Sequence, residues 1–132
     1  MELLHKELTS QVIGAYYKVF NNLGFGFLEK VYENSLCIEL NKLGIPYTTQ
    51  SQIKVYYEEN HVGTYYADIV VDNKLIIEIK AMESLREEHE FQLVNYLRAT
   101  DVELGLLFNF GKISEYKRKI FMNKNKNPRK SV

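Results

Sequence analysis

Apolar residues recur at three- and four-residue spacing in two early stretches of the chain. Over residues 8–23, Leu8, Val12, Ala15, Tyr16, Val19 and Leu23 fall on one side of a helix. Gly24-Phe25-Gly26 breaks that period. A second helix is predicted over 27–43, carried by Leu28, Val31, Tyr32, Leu36, Leu40 and Leu43, with Gly44 as its stop. After Ile45-Pro46 the texture changes. Residues 47–57, 61–71 and 75–80 are rich in β-branched and aromatic types and read as strands. Glu58-Glu59-Asn60 and Asp72-Asn73-Lys74 are the turns between them. A third helix is predicted from about 84 to 99, with Ser84 as N-cap and Glu87 completing a capping box. Residues 102–110 read as a buried strand and 113–121 as a short edge strand, and a polar segment closes the chain. The predicted order is α-α-β-β-β-α-β-β, a mixed α/β domain.

Composition narrows this picture. A chain of 132 residues fits one domain, here 1–121, followed by a basic polar tail over 122–132. The 45% hydrophobic content argues against disorder. No apolar run reaches the roughly 18–20 residues of a membrane span. The N-terminus lacks the features of a signal peptide, so a soluble cytoplasmic protein is expected. Cys37 is the only cysteine, which excludes an intrachain disulfide and a cysteine-based zinc site. The net charge of zero hides a split. All 17 acids lie in residues 1–116 with only 10 bases, while the last 16 residues hold the other seven bases and no acid. Such a split points toward nucleic acid or an anionic surface, and a short basic tail also serves as a plain solubilising end.

The chemistry is concentrated where charges interrupt apolar strands. Asp68 lies in Tyr65-Tyr66-Ala67-Asp68-Ile69-Val70-Val71, and Glu78 and Lys80 lie in Leu75-Ile76-Ile77-Glu78-Ile79-Lys80. Side chains alternate along a strand, so Glu78 and Lys80 share a face. Buried charges are normally paired or metal-bound. A three-residue loop, Asp72-Asn73-Lys74, pairs Val71 with Leu75 and brings Asp68 opposite Glu78. A two-residue loop would turn Asp68 to the other face. Two facing carboxylates suit a hard cation such as Mg²⁺, with Lys80 beside them to stabilise charge on a phosphate. An internal salt bridge of Lys80 with Glu78 or Asp68 explains the same pattern. On the second helix Glu29 falls between Leu36 and Leu40, as a further metal ligand or as a first-turn acid favoured by the helix dipole. Glu39 shares that arc. On the third helix His89, Gln92 and Tyr96 form a stripe, in which Gln92 can hold water or Lys80, or all three can be satisfied by backbone.

Asp68, Glu78-Ile79-Lys80 and a following helix with Gln92 resemble the PD-(D/E)XK nuclease superfamily. Gly26-Phe27-Leu28-Glu29-Lys30-Val31-Tyr32 is similar to the signature of its GxxExxY protein family. Ala67-Asp68, His89-Glu90-x-Gln92-Leu93-x-Asn95-Tyr96-Leu97 and Gly105-Leu106-Leu107-x-Asn109-Phe110-Gly111 extend the likeness. The resemblance implies a restriction-endonuclease-like mixed sheet flanked by helices. It implies Glu29, Asp68, Glu78, Lys80 and Gln92 as site residues, with Asp68, Glu78 and Glu29 holding Mg²⁺ or Mn²⁺. It implies DNA or RNA as partner and hydrolysis of phosphodiesters as the activity, and leaves a homodimer open. The alternative is a nuclease-like fold that binds nucleic acid or protein without cutting. Phe20, Phe25 and Tyr66 depart from the family's usual His, Pro and Arg, which bears on phosphate contacts and not on the carboxylates.

Overall fold

Helical periods and β-branched stretches sort into three long helices and five strands in the computed structural model, which describes residues 4–127. The order is α1 (Lys6–Leu23), α2 (Glu29–Lys42), β1 (Tyr47–Tyr57), β2 (Asn60–Val71), β3 (Leu75–Lys80), α3 (Glu87–Arg98), β4 (Leu104–Phe110) and β5 (Ser114–Ile120), then a short 3₁₀ turn at Asn123–Asn125. The strands form one sheet in the order β1-β2-β3-β4-β5. All neighbours are antiparallel except β3 and β4, which run parallel and are joined through α3. This is the mixed α/β architecture expected, with a five-stranded central sheet.

Helices cover both faces of the sheet. Leu75, Ile77 and Ile79 of β3 and Leu104, Leu106, Phe108 and Phe110 of β4 pack with α1 and α2 in the larger core. Ile76 and Leu107 pack with Leu93, Tyr96 and Leu97 of α3 in the smaller one. Burial on both sides is why β4 is apolar without alternation. It also places Glu78 and Lys80, which share the parity of Ile76, on the α3 side of β3.

Aromatic stacking seats the first two helices. Tyr16 of α1 stacks on Phe108 with ring centres 4.3 Å apart, and its hydroxyl donates to the Asn109 carbonyl at 2.5 Å. Tyr32 of α2 stacks on Phe110 at 4.1 Å. The Tyr32 hydroxyl donates to the Gly24 carbonyl at 2.7 Å and accepts the Phe27 N–H at 3.2 Å. One tyrosine therefore fixes both the helix and the glycine turn before it, where Gly24 and Gly26 have φ of 65° and 108°. The close seat of α3 on β4 depends on Gly105, where an added Cβ would lie 2.7 Å from Leu93 Cδ1.

All three helix starts differ from the sequence expectation, the first beginning two residues early at Lys6. The second helix begins at Glu29, so Leu28 is 81% exposed, and Val31 and Leu43 also stay outside the core. The third begins at Glu87 with Arg86 as N-cap, and the Ser84–Glu87 capping box does not form. The preceding chain has other partners. Asn109 receives the Met82 N–H at 3.0 Å and donates to the Met82 carbonyl at 2.9 Å, and the Leu85 N–H goes to Glu115 at 3.1 Å. His89 Nδ1 then accepts the Arg86 N–H at 3.2 Å.

The tail's first residues are docked, with Lys126 Nζ donating to the carbonyls of Thr100 at 2.9 Å and Val102 at 2.8 Å. The rest of the basic tail, 128–132 with Arg129 and Lys130, lies outside the described residues. Among the described residues no helix is long and apolar enough to cross a membrane.

Candidate active site

The site starts at a turn. Asp72 and Asn73 both take left-handed φ, 51° and 55°, a conformation that short Asx side chains tolerate better than most. The Lys74 N–H closes the turn onto the Val71 carbonyl at 2.9 Å. The loop thus has three residues and Val71 pairs with Leu75, followed by Val70 with Ile76 and Ile69 with Ile77. There the backbone ladder between β2 and β3 stops.

Asp68 and Glu78 come next in that register, and their carboxylates replace the missing ladder bonds. The Asp68 N–H donates to Glu78 Oε2 at 2.9 Å, and the Ile79 N–H donates to Asp68 Oδ2 at 2.8 Å. Each side chain is bound to the backbone of the other's strand. Beyond them β3 stays paired with β4 as far as Lys80 with Asn109.

Burial makes this pair electrostatically unusual. Glu78 is only 6% exposed. Desolvation, reinforced by the Asp68 charge, pushes its pKa up to about 8. Asp68 is also pushed upward, by burial first, with the charge of Glu33 adding to it. The ammonium of Lys80 opposes both shifts but makes no ion pair among the described residues. A closed salt bridge of Lys80 with either carboxylate is therefore not what holds the charges. The cation sits near both and is committed to neither.

The other residues expected at the site fall at different removes. Gln92 donates to the Tyr96 hydroxyl at 3.0 Å. Tyr96 feels both carboxylates, since burial first and then the charges of Glu78 and Asp68 raise its pKa to about 12. Gln92 is thus linked to the pair through Tyr96. Glu29 is exposed at the start of α2, makes no hydrogen bond or ion pair among the described residues, and reaches Glu78 only through its charge. Glu39 is held by Lys18 at 3.0 Å and Lys42 at 3.2 Å. Phe20 packs half-buried against the larger core, whereas Phe25 and Tyr66 are exposed.

Sequence reasoning passed over three polar residues. Glu33 is buried at 5% exposure and paired with Lys30 at 2.9 Å. On a helical wheel it lies about 20° beyond Leu40, just outside the apolar arc that contains Glu29. Gln50 donates through one amide group to Glu33 Oε1 at 3.0 Å and Asp68 Oδ1 at 3.4 Å. Nothing in the pattern marks it, because polar residues are ordinary on an edge strand. Asn109, fully buried in β4, is a polar interruption of an apolar strand like Asp68 and was legible by the same rule.

Among the described residues no three His, Cys, Asp or Glu side chains cluster tightly enough to hold a metal by themselves. The donor chemistry fits a hard divalent cation of lower protein coordination. Two carboxylates converge, Glu78 Oε1 accepts no hydrogen bond among the described residues, and no cation is bonded to either. Mg²⁺ is commonly held by one or two carboxylates, with water and phosphate oxygens completing its shell. A groove of about 960 Å³ between the β1–β2 hairpin and α3 is lined by Gln92 and Tyr96, with Tyr65, Lys54 and Arg98 further along.

The model of the PD-(D/E)XK nuclease superfamily matches residues 6–120. No curated protein and no solved structure matches the chain.

Proposed function

The chain belongs to the PD-(D/E)XK nuclease superfamily, and we propose that it is a divalent-metal-dependent nuclease hydrolysing phosphodiesters of DNA or RNA. The observation that carries this reading is the reciprocal bonding of Asp68 and Glu78 at the point where the β2–β3 ladder ends, with Lys80 unpaired beside them. Within the superfamily we assign it to the GxxExxY branch. Gly26 turns the loop, Tyr32 pins that loop and stacks on β4, and the charge of Glu29 at the start of α2 acts on Glu78.

Asp68 and Glu78 would hold Mg²⁺ or Mn²⁺, with Glu29 as an outer acid, and the bound cation would supply charge neutralisation at phosphate and a more acidic water. Lys80 contributes a fixed positive charge where negative charge grows on the phosphate. Gln92, held by Tyr96, orients water or the Lys80 ammonium. The basic residues of the tail add salt-sensitive contacts to the phosphate backbone. We place the protein in the cytoplasm and leave the choice between monomer and homodimer to a solution mass measurement.

A second reading is a nuclease-like fold that binds without cutting. It is favoured by Tyr66, an exposed ring where the family usually carries Arg. Two measurements separate the readings. Mn²⁺ should raise the melting temperature of the wild type and not of Asp68→Ala. Purified protein with Mn²⁺ should cut at least one of single-stranded DNA, duplex DNA or RNA. Metal stabilisation without cutting of any of them would favour the binding module, and loss of both would remove the metal site.

A further inference from the structure

The backbone of β1 contains one residue that does not fit a strand. Gln50 has φ of 48°, in the left-handed region that non-glycine residues rarely enter. It sits between two regular pairs, Thr49 with Ile69 and Ser51 with Ala67, and is itself unpaired with Asp68, the residue opposite. Ile69 packs in the larger core and Ala67 in the smaller one, so the alternation of faces along β2 is broken at Asp68. Local strain of this kind persists where the surroundings demand it, and it concentrates at functional sites.

The side chain shows what the strain provides. The two hydrogens of the Gln50 amide go to Glu33 Oε1 at 3.0 Å and Asp68 Oδ1 at 3.4 Å. The other oxygen of Asp68 is held by the Ile79 N–H at 2.8 Å, and the other oxygen of Glu33 by Lys30 at 2.9 Å. Gln50 therefore separates two carboxylates that would repel each other and fixes the rotation of one of them. Asparagine or glycine would suit the backbone better, but neither reaches both acids.

We propose that Gln50 is a positioning residue for the cation site, with the Lys30–Glu33–Gln50 chain orienting Asp68 toward the metal. This rests on the metal-dependent reading of the Asp68–Glu78 pair. Partners that orient a ligand from outside typically change metal affinity by 10- to 100-fold when removed. Gln50 bonds Asp68 at the long end of hydrogen-bond distance, so the low end of that range, roughly 10-fold, is expected here.

The test is calorimetric titration of the metal-free full chain with Mn²⁺, beside its melting temperature without metal. Gln50→Gly relieves the left-handed backbone while deleting the amide. It should bind Mn²⁺ roughly 10-fold more weakly, and a single cooperative melting transition without metal shows that it still folds. Adding Glu33→Gln removes the repelling charge and should recover part of the lost affinity. Gln50→Asn, which tolerates the same backbone but is too short to span both acids, should also weaken Mn²⁺ binding while still melting cooperatively. Wild-type Mn²⁺ affinity in both Gln50→Gly and Gln50→Asn would overturn the role of Gln50 and leave the metal site standing. Absence of Mn²⁺ binding by the wild type would overturn both.

Discussion

Replacing Glu78 with Gln tests the electrostatics of the site independently of catalysis. The side chain keeps its shape, and its carbonyl oxygen can still accept the Asp68 N–H that Glu78 Oε2 now accepts at 2.9 Å. What disappears is a buried carboxylate whose pKa is raised from 4.5 to about 8, chiefly by burial and then by Asp68. The sign follows from proton binding. A raised carboxyl pKa means that the folded state holds a proton the unfolded chain has already released. Wild-type stability therefore falls as pH rises from about 4.5 toward 8, and the full cost is reached above 8. At about 1.4 kcal/mol per tenfold, that span sets a ceiling on the order of 5 kcal/mol. Asp68 titrates with Glu78 as a pair, so the observed difference spreads over a wider pH range than a single group would give. Urea unfolding in chelator from about pH 5 to pH 9 should show Glu78→Gln more stable than wild type at the alkaline end, by a few kcal/mol. The advantage should shrink toward pH 5. Saturating Mn²⁺ should abolish or reverse it, because the cation stabilises the ionised wild-type pair alone. Stability differences that stay constant across this pH range would refute the claim that Glu78 is a buried, destabilised carboxylate.

Asn109→Ala should lose about 2–4 kcal/mol in urea unfolding, because both the N–H and the carbonyl of Met82 lose a partner. It should also impair cleavage, since Met82 lies two residues beyond Lys80. Tyr32→Phe should cost about 1–3 kcal/mol by leaving the Gly24 carbonyl without its donor, with Mn²⁺ affinity at the pair nearly unchanged. A matching drop in Mn²⁺ affinity would mean that the glycine turn and Glu29 matter more to the cation than the geometry suggests.

The sheet was legible in the sequence because its strands are apolar and its turn chemistry is specific. The sequence favours a three-residue loop only because that length lets Asp68 and Glu78 meet, and left-handed Asp72 and Asn73 supply it in the structure. The interruptions Asp68, Glu78 and Lys80 stood out because charge inside an apolar strand is costly. The starts of the helices were less legible. Near the starts of α2 and α3 the chain contacts distant partners, Phe110 for Tyr32 and Glu115 for Leu85, which no local pattern reveals. Gln50 was invisible for a different reason. Its importance lies in a backbone conformation and in a bridge between Glu33 and Asp68, 17 residues before it and 18 after it. Glu29 lies in the first, exposed turn of α2, while Glu33 one turn later is the buried acid.

The central claim is that Lys80 acts in phosphodiester hydrolysis beside a cation held by Asp68 and Glu78. Its most direct test is Mn²⁺-dependent cleavage by wild type and Lys80→Ala, purified identically and compared at equal bound metal. Cleavage by the wild type, reduced at least about 100-fold in Lys80→Ala while Mn²⁺ still binds, is the predicted result. Equal cleavage by both proteins, or none by either, would contradict it.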